Sequence, residues 1–191
     1  MKKLLNLAIK LVSHPSEGLS EIIEEKPIIP AVILFVISNL IVAFLFWSLI
    51  LIKDYRLQST ILNVGFILKI LAPKLLLPFL SIFLIHFLSK YIYKSEGNLL
   101  TFLTCYLFII GVIVIIISCI TLLFYAIFLF SGNPSLTSPY NFIAKVVQGG
   151  WSLILTIAAI MGVYGLSGRQ ALTVWFIQFL PMVILYYFKL I

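Results

Sequence analysis

Residues able to do chemistry are few in this sequence, and most fall in three groups. Glu17, Glu21, Glu24 and Glu25 hold four of the six acidic groups, just ahead of a long uncharged stretch. At 100° per residue they share one helical face. Such a row is either a solvated face or a docking surface for a basic cytoplasmic partner. Glu17 with Glu21, and Glu21 with Glu25, are like-charge pairs four apart, costing an isolated helix roughly 0.2–0.5 kcal/mol each. That cost mildly favours a partner.

Lys69, Lys74 and Lys145 interrupt or border apolar runs. An ammonium there either snorkels to the bilayer surface or contacts an anion or other solute inside the protein. Pro73 and Pro78 flank Lys74, and broken helices often line transporter sites. His14 and His86 have no second His, Cys or carboxylate at metal-ligand spacing, so no metal or cofactor is expected. Cys105 and Cys119 share one apolar run, about 21 Å apart on a helix, too far for a disulfide. With no carboxylate in any apolar run, no phosphate loop and no nucleophile elbow, the chain is not expected to be an enzyme.

The elements that must position these residues are helices in a membrane. The 191 residues are 63% hydrophobic with a mean hydropathy of +1.22, and only 10% are charged, against roughly 25% in soluble domains. The net charge of +7 comes from bases set singly at the ends of apolar segments, where they anchor helices and orient them. Nucleic-acid binding has no support.

The expected fold is all-α, a single polytopic bundle of five transmembrane helices preceded by two short amphipathic helices at 1–27. Segment 1–13, MKKLLNLAIKLVS, gathers Lys2, Lys3, Asn6, Lys10 and Ser13 on one polar stripe beside a broad aliphatic face, which suits a helix lying in the membrane interface. It lacks the uninterrupted apolar core and cleavage site of a signal peptide. His14-Pro15 should interrupt it and open a second helix, with Leu19, Ile22 and Ile23 opposite the glutamates and Pro27 as its end. The spans are expected near 28–52, 71–91, 99–130, 142–166 and 171–188, with 61–70 as an outer interfacial helix and 131–141 as a turn-rich connection.

Five spans put the termini on opposite sides. Lys2, Lys3, Lys10, Lys26, Lys90, Lys94 and Arg169 against Lys53, Arg56 and Lys189 favour a cytoplasmic N-terminus; counting Lys69, Lys74 and Lys145 at the outer interface narrows the margin to seven against six. Ala158, Gly162 and Gly165 form a small-residue strip for helix packing within the bundle or in a homo-oligomer. Asn39, Gln148 and Gln178 are expected to form interhelical hydrogen bonds. Trp47, Tyr140, Trp151 and Trp175 are candidates for headgroup level.

The layout resembles the Yip-domain family, named for Ypt/Rab-interacting proteins. The stretches carrying the resemblance are HPSEGLSEIIEEKPIIPAVILF (14–35), LIHFLSKYIYKSEGNLLTFLTCYLF (84–108) and GGWSLILTIAAIMGVYGLSGRQAL (149–172). With their spacing they cover nearly the whole chain. The resemblance implies five spans, a cytoplasmic N-terminus and no enzymatic activity. It also implies a trafficking-type role for eukaryotic members, through Rab-type GTPases, coat components and membrane shaping. Those members carry a long soluble N-terminal region; the roughly 27 residues here resemble the short prokaryotic relatives, for which no Rab partner is implied. No active site transfers. The leading expectation is a multi-pass, membrane-organising or partner-docking scaffold in the cell membrane, if prokaryotic. The alternative is a small-solute or anion transporter or channel using Lys69, Lys74 and Lys145.

Overall fold

A computed structural model describes residues 2–53, 64–131 and 142–187, all helix or short connection with no strand among them. The helices are α1 Lys2–Ser13, α2 Pro15–Glu25, α3 Ile28–Lys53, α4 Val64–Tyr93 and α5 Leu99–Ser131. A π-helical segment Val146–Trp151 leads into α6 Ser152–Tyr164, and α7 is Gly168–Tyr187. Three stretches among the described residues are long and apolar enough to cross a membrane: Ile28–Leu45, Leu99–Ile127 and Phe142–Tyr164. Pro78–Tyr93 is a shorter apolar stretch. The chain is an all-helical protein suited to membrane association.

The chain falls into two compact units, residues 1–42 with 104–156 and residues 43–103 with 157–191. In the first, His14 has φ −136° and ψ 74°, Pro15 occupies the first turn of α2, and α2 closes on Lys26 in the left-handed region (φ 49°) before Pro27. Proline forces both boundaries, because it constrains the preceding residue and has no N–H to continue a helix. α3 buries Ala31, Leu34, Phe35 and Ser38 on one face and exposes Ile33, Ile37 and Leu40 on another. A helix apolar on its outer side as well as its inner one suits lipid rather than water. Leu34 packs against α5 at Gly111, where a Cβ would come within 2.9 Å of the Leu34 Cγ.

In the second unit α4 packs on α7, with Ile82, Ile85 and Ser89 from α4 and Ala171, Val174 and Gln178 from α7 all buried. Asn98 starts α5 by accepting the Leu100 N–H on its side chain at 2.8 Å. Ser167 and Gln170 start α7 with a reciprocal box: the Ser167 N–H donates to Gln170 Oε1 at 3.0 Å, and the Gln170 N–H to Ser167 Oγ at 3.4 Å. These side chains satisfy orphan N–H groups at helix starts.

Three details differ from the sequence reading. α4 runs unbroken through Pro73 and Pro78, so no break separates 64–70 from the expected second span; residues 61–63 lie outside the described ones. Membrane helices tolerate proline because neighbouring helices, Ser and Thr side chains and small local adjustments re-satisfy the backbone groups it frees. Gly165 lies beyond α6 with φ +64°, a left-handed helix terminus for which glycine is suited, so the small-residue strip shortens to Ala158 and Gly162. Asn39 donates to the Phe35 carbonyl of its own helix at 2.8 Å, Gln148 is exposed, and the buried Gln178 Oε1 has no hydrogen-bond partner; among the described residues no interhelical bond is seen for these three.

Candidate functional site

The glutamates meet the lysines of the preceding helix. α1 and α2 run antiparallel across the His14-Pro15 turn, and two ion pairs form rungs between them. Lys10 Nζ donates to Glu21 Oε2 at 2.7 Å, and Lys3 Nζ lies 2.9 Å from Glu25 Oε2. Lys3 and Lys10 lie two turns apart, about 10.5 Å along α1, and Glu21 and Glu25 one turn apart, about 6 Å along α2; the long lysine side chains span the difference. Solvent-accessible ion pairs contribute little to stability, so their larger effect is to set which faces meet.

Apolar packing does the rest. Leu7 and Leu11 of α1 and Leu19 and Ile22 of α2 are buried. Gly18 lets the helices approach closely: a Cβ there would sit 2.7 Å from both Cα and N of Leu11. Glu21 beside Lys10 holds the ammonium above its ordinary pKa, first through the hydrogen bond and then through charge, with Glu17 adding a smaller attraction. Residues 1–27 contain four lysines and four glutamates, so this segment is formally neutral and the remaining chain carries the whole +7.

Of the proposed docking residues, Glu21 and Glu25 are thus engaged within the chain, while Glu17 and Glu24 face outward. The repulsion anticipated along α2 is offset by α1. Lysine spacing on one side of a proline turn and glutamate spacing on the other was the signal that would have revealed this pairing.

α1 carries three stripes rather than two. Leu7 and Leu11 face the protein, Lys3, Asn6 and Lys10 form the polar stripe, and Leu5 and Ile9 point outward with 59% and 56% exposure. Compared with known protein families, curated proteins and solved structures, the chain matches none. Any assignment of function therefore rests on the residues themselves.

The other candidate positions are more scattered. Lys145 is exposed immediately before the π segment. Lys69 and Lys74 belong to α4, and their side chains lie outside the described ones, as do those of Trp47 and Tyr140. Ala158 is half-buried and Gly162 exposed on α6. No group of three His, Cys, Asp or Glu among the described residues could hold a metal.

One contact was invisible in the sequence. His86 Nδ1 and the Tyr164 hydroxyl lie 2.9 Å apart, 78 residues apart in the chain. The Phe102 ring packs on Tyr164 with centroids 5.4 Å apart, and Gly97 fits against the same ring, leaving no room for a Cβ. This cluster ties the 94–98 connection to the end of α6.

Proposed function

We propose that this protein is a non-enzymatic, multi-pass membrane scaffold whose α1–α2 pair rides on the cytoplasmic leaflet and organises the membrane or docks a partner. The observation carrying the reading is the outward apolar stripe of α1, Leu5 and Ile9, beside its basic stripe. A helix already packed on its own protein through Leu7 and Leu11 has no folding reason for a second apolar face. Insertion in the headgroup and acyl boundary supplies one, with the lysines at headgroup level. The five spans near 28–52, 71–91, 99–130, 142–166 and 171–188, with the C-terminus opposite the N-terminus, complete the arrangement. The Yip-domain resemblance agrees with it.

Partner docking falls to Glu17 and Glu24, since Glu21 and Glu25 have lysine partners. Membrane shaping falls to α1. Purified protein mixed with vesicles should tubulate them, and deletion of residues 1–13 should abolish the effect; unchanged tubulation rejects this mechanism.

A transporter remains the second reading for one reason. Lys145 borders a π-helical turn, and added Cβ atoms at Gly149 and Gly150 would meet nothing within 4 Å. π-bulges are frequent at functional sites. Solute or anion flux through proteoliposomes should then fall when Lys69, Lys74 and Lys145 are all replaced by Met, and unaffected flux removes the reading.

A further inference from the structure

A groove of about 560 Å³ opens beside the Lys3–Glu25 ion pair, bounded by α1, the Pro27 turn and the start of α3. Its walls are Leu4, Leu7, Pro27, Pro30 and Ile33, and Lys3 and Glu25 stand at its polar side. Its volume lies within the range of roughly 300–1,000 Å³ typical of small-molecule sites. Two properties narrow what would fit. The walls are apolar and lead onto an exposed track, because Ile33 is followed by Ile37 and Leu40 on the outer side of α3. The polar group is a cation and an anion 2.9 Å apart, so the ligand needs an apolar chain and a head bearing both signs.

We propose that this groove binds one phosphoethanolamine lipid. An acyl chain lies against Leu4, Leu7 and Ile33, the phosphate takes the Lys3 ammonium, and the lipid's primary ammonium donates to the Glu25 carboxylate. Both head contacts are charge-assisted hydrogen bonds, the stronger class. The existing Lys3–Glu25 pair is exposed on the lysine side, with 70% of that side chain accessible, and an exposed pair is held weakly enough to open around a headgroup. A choline head cannot donate to Glu25 because its nitrogen carries no hydrogen. A glycerol head leaves its phosphate facing Glu25 with no cation to offset it. Selectivity among lipids with identical chains follows from the two charges, while the apolar walls supply affinity common to all.

The inference rests on the reading of α1 as an interfacial helix, and the test separates the two. Full-length protein is placed in phosphatidylcholine vesicles with trace phosphatidylethanolamine, phosphatidylcholine or phosphatidylglycerol carrying the same acyl-chain diazirine. Crosslinked peptides are then mapped. The expected result is labelling at 27–40 several-fold higher with the ethanolamine lipid, falling to the choline level in Glu25→Gln. That substitution is isosteric and leaves the walls intact. Ile33→Trp, which fills the groove, should lower labelling with all three lipids.

Equal labelling by the three headgroups, or ethanolamine preference that survives Glu25→Gln, overturns the proposal. So does loss of the labelling on adding soluble glycerophosphoethanolamine, which would mark a site for the free headgroup. A fluorophore at Ile9 reports bilayer depth in the same vesicles. A water-exposed Ile9 removes the interfacial reading and the lipid site together, whereas an immersed Ile9 without headgroup preference removes the lipid site alone.

Discussion

At Gly18 the α1–α2 pair has no slack, because the atoms 2.7 Å from an added Cβ belong to the Leu11 backbone and not to a flexible side-chain end. Gly18→Ala should therefore push the helices apart. Alanine's better helix propensity, up to about 1 kcal/mol, offsets only part of an overpacking cost of about 1–3 kcal/mol. Faster deuterium uptake over residues 2–13 would show the loosening, and uptake equal to wild type would mean that the crossing tolerates the methyl. Lys10 offers a second probe. Its pKa is raised above 10.5 because Glu21 bonds and attracts the charged form, so the pair's contribution is complete below the unfolded value and is lost as pH rises through the folded one. Protection of α1 should be level from neutral pH to about pH 10 and decline above the ordinary lysine pKa of about 10.4. Glu21→Gln should remove that alkaline step while leaving the neutral-pH fold intact.

Helix by helix, how much could be read in advance depends on whether the local rule holds in apolar surroundings. α3 and α5 declare themselves by uncharged length, and the 33-residue α5 matches the single long helix expected. The break between α1 and α2 follows from His14-Pro15, since proline constrains its predecessor wherever it lies. α4 defeats the same reasoning at Pro73 and Pro78, because helix-breaking strength measured in water overstates the effect in a membrane helix, where neighbouring groups and local adjustments re-satisfy the freed backbone groups. The glutamate face was legible, but its pairing with Lys3 and Lys10 required knowing that two separately amphipathic segments fold onto each other. The His86–Tyr164 contact had no local signal at all, since it depends on where α4 and α6 meet. Gly97 gives that contact a measurable consequence. A Cβ there would overlap the Tyr164 ring and approach the Val163 carbonyl oxygen to 2.7 Å, and a main-chain neighbour cannot swing away. Gly97→Ala should destabilise the protein by about 1–3 kcal/mol, read as a lower melting temperature in detergent and as faster proteolysis between 94 and 98.

For the whole molecule the open choice is how often the chain crosses the bilayer, and the termini cannot decide it. Three spans, at Ile28–Leu45, Leu99–Ile127 and Phe142–Tyr164, put the ends on opposite sides, and so do five. The connections differ. With five spans α4 and α7 both cross, which returns Glu96 and Ser167 to the side of the N-terminus; with three, both residues lie opposite it. Length permits five. The 30 residues of α4 extend about 45 Å at 1.5 Å per residue, more than the roughly 30 Å of a hydrocarbon core, and the 20 residues of α7 extend about 30 Å. Charge agrees, because Lys90, Lys94 and Arg169 then join Lys2, Lys3, Lys10 and Lys26 on the cytoplasmic side. The deciding experiment is accessibility of single cysteines at Glu24, Glu96 and Ser167 in a Cys105→Ser, Cys119→Ser background, labelled in intact cells with an impermeant maleimide and again after permeabilisation. All three should react only after permeabilisation. Labelling of Glu96→Cys and Ser167→Cys from outside, with Glu24→Cys still protected, would leave three spans and lay α4 and α7 along the far surface of the membrane.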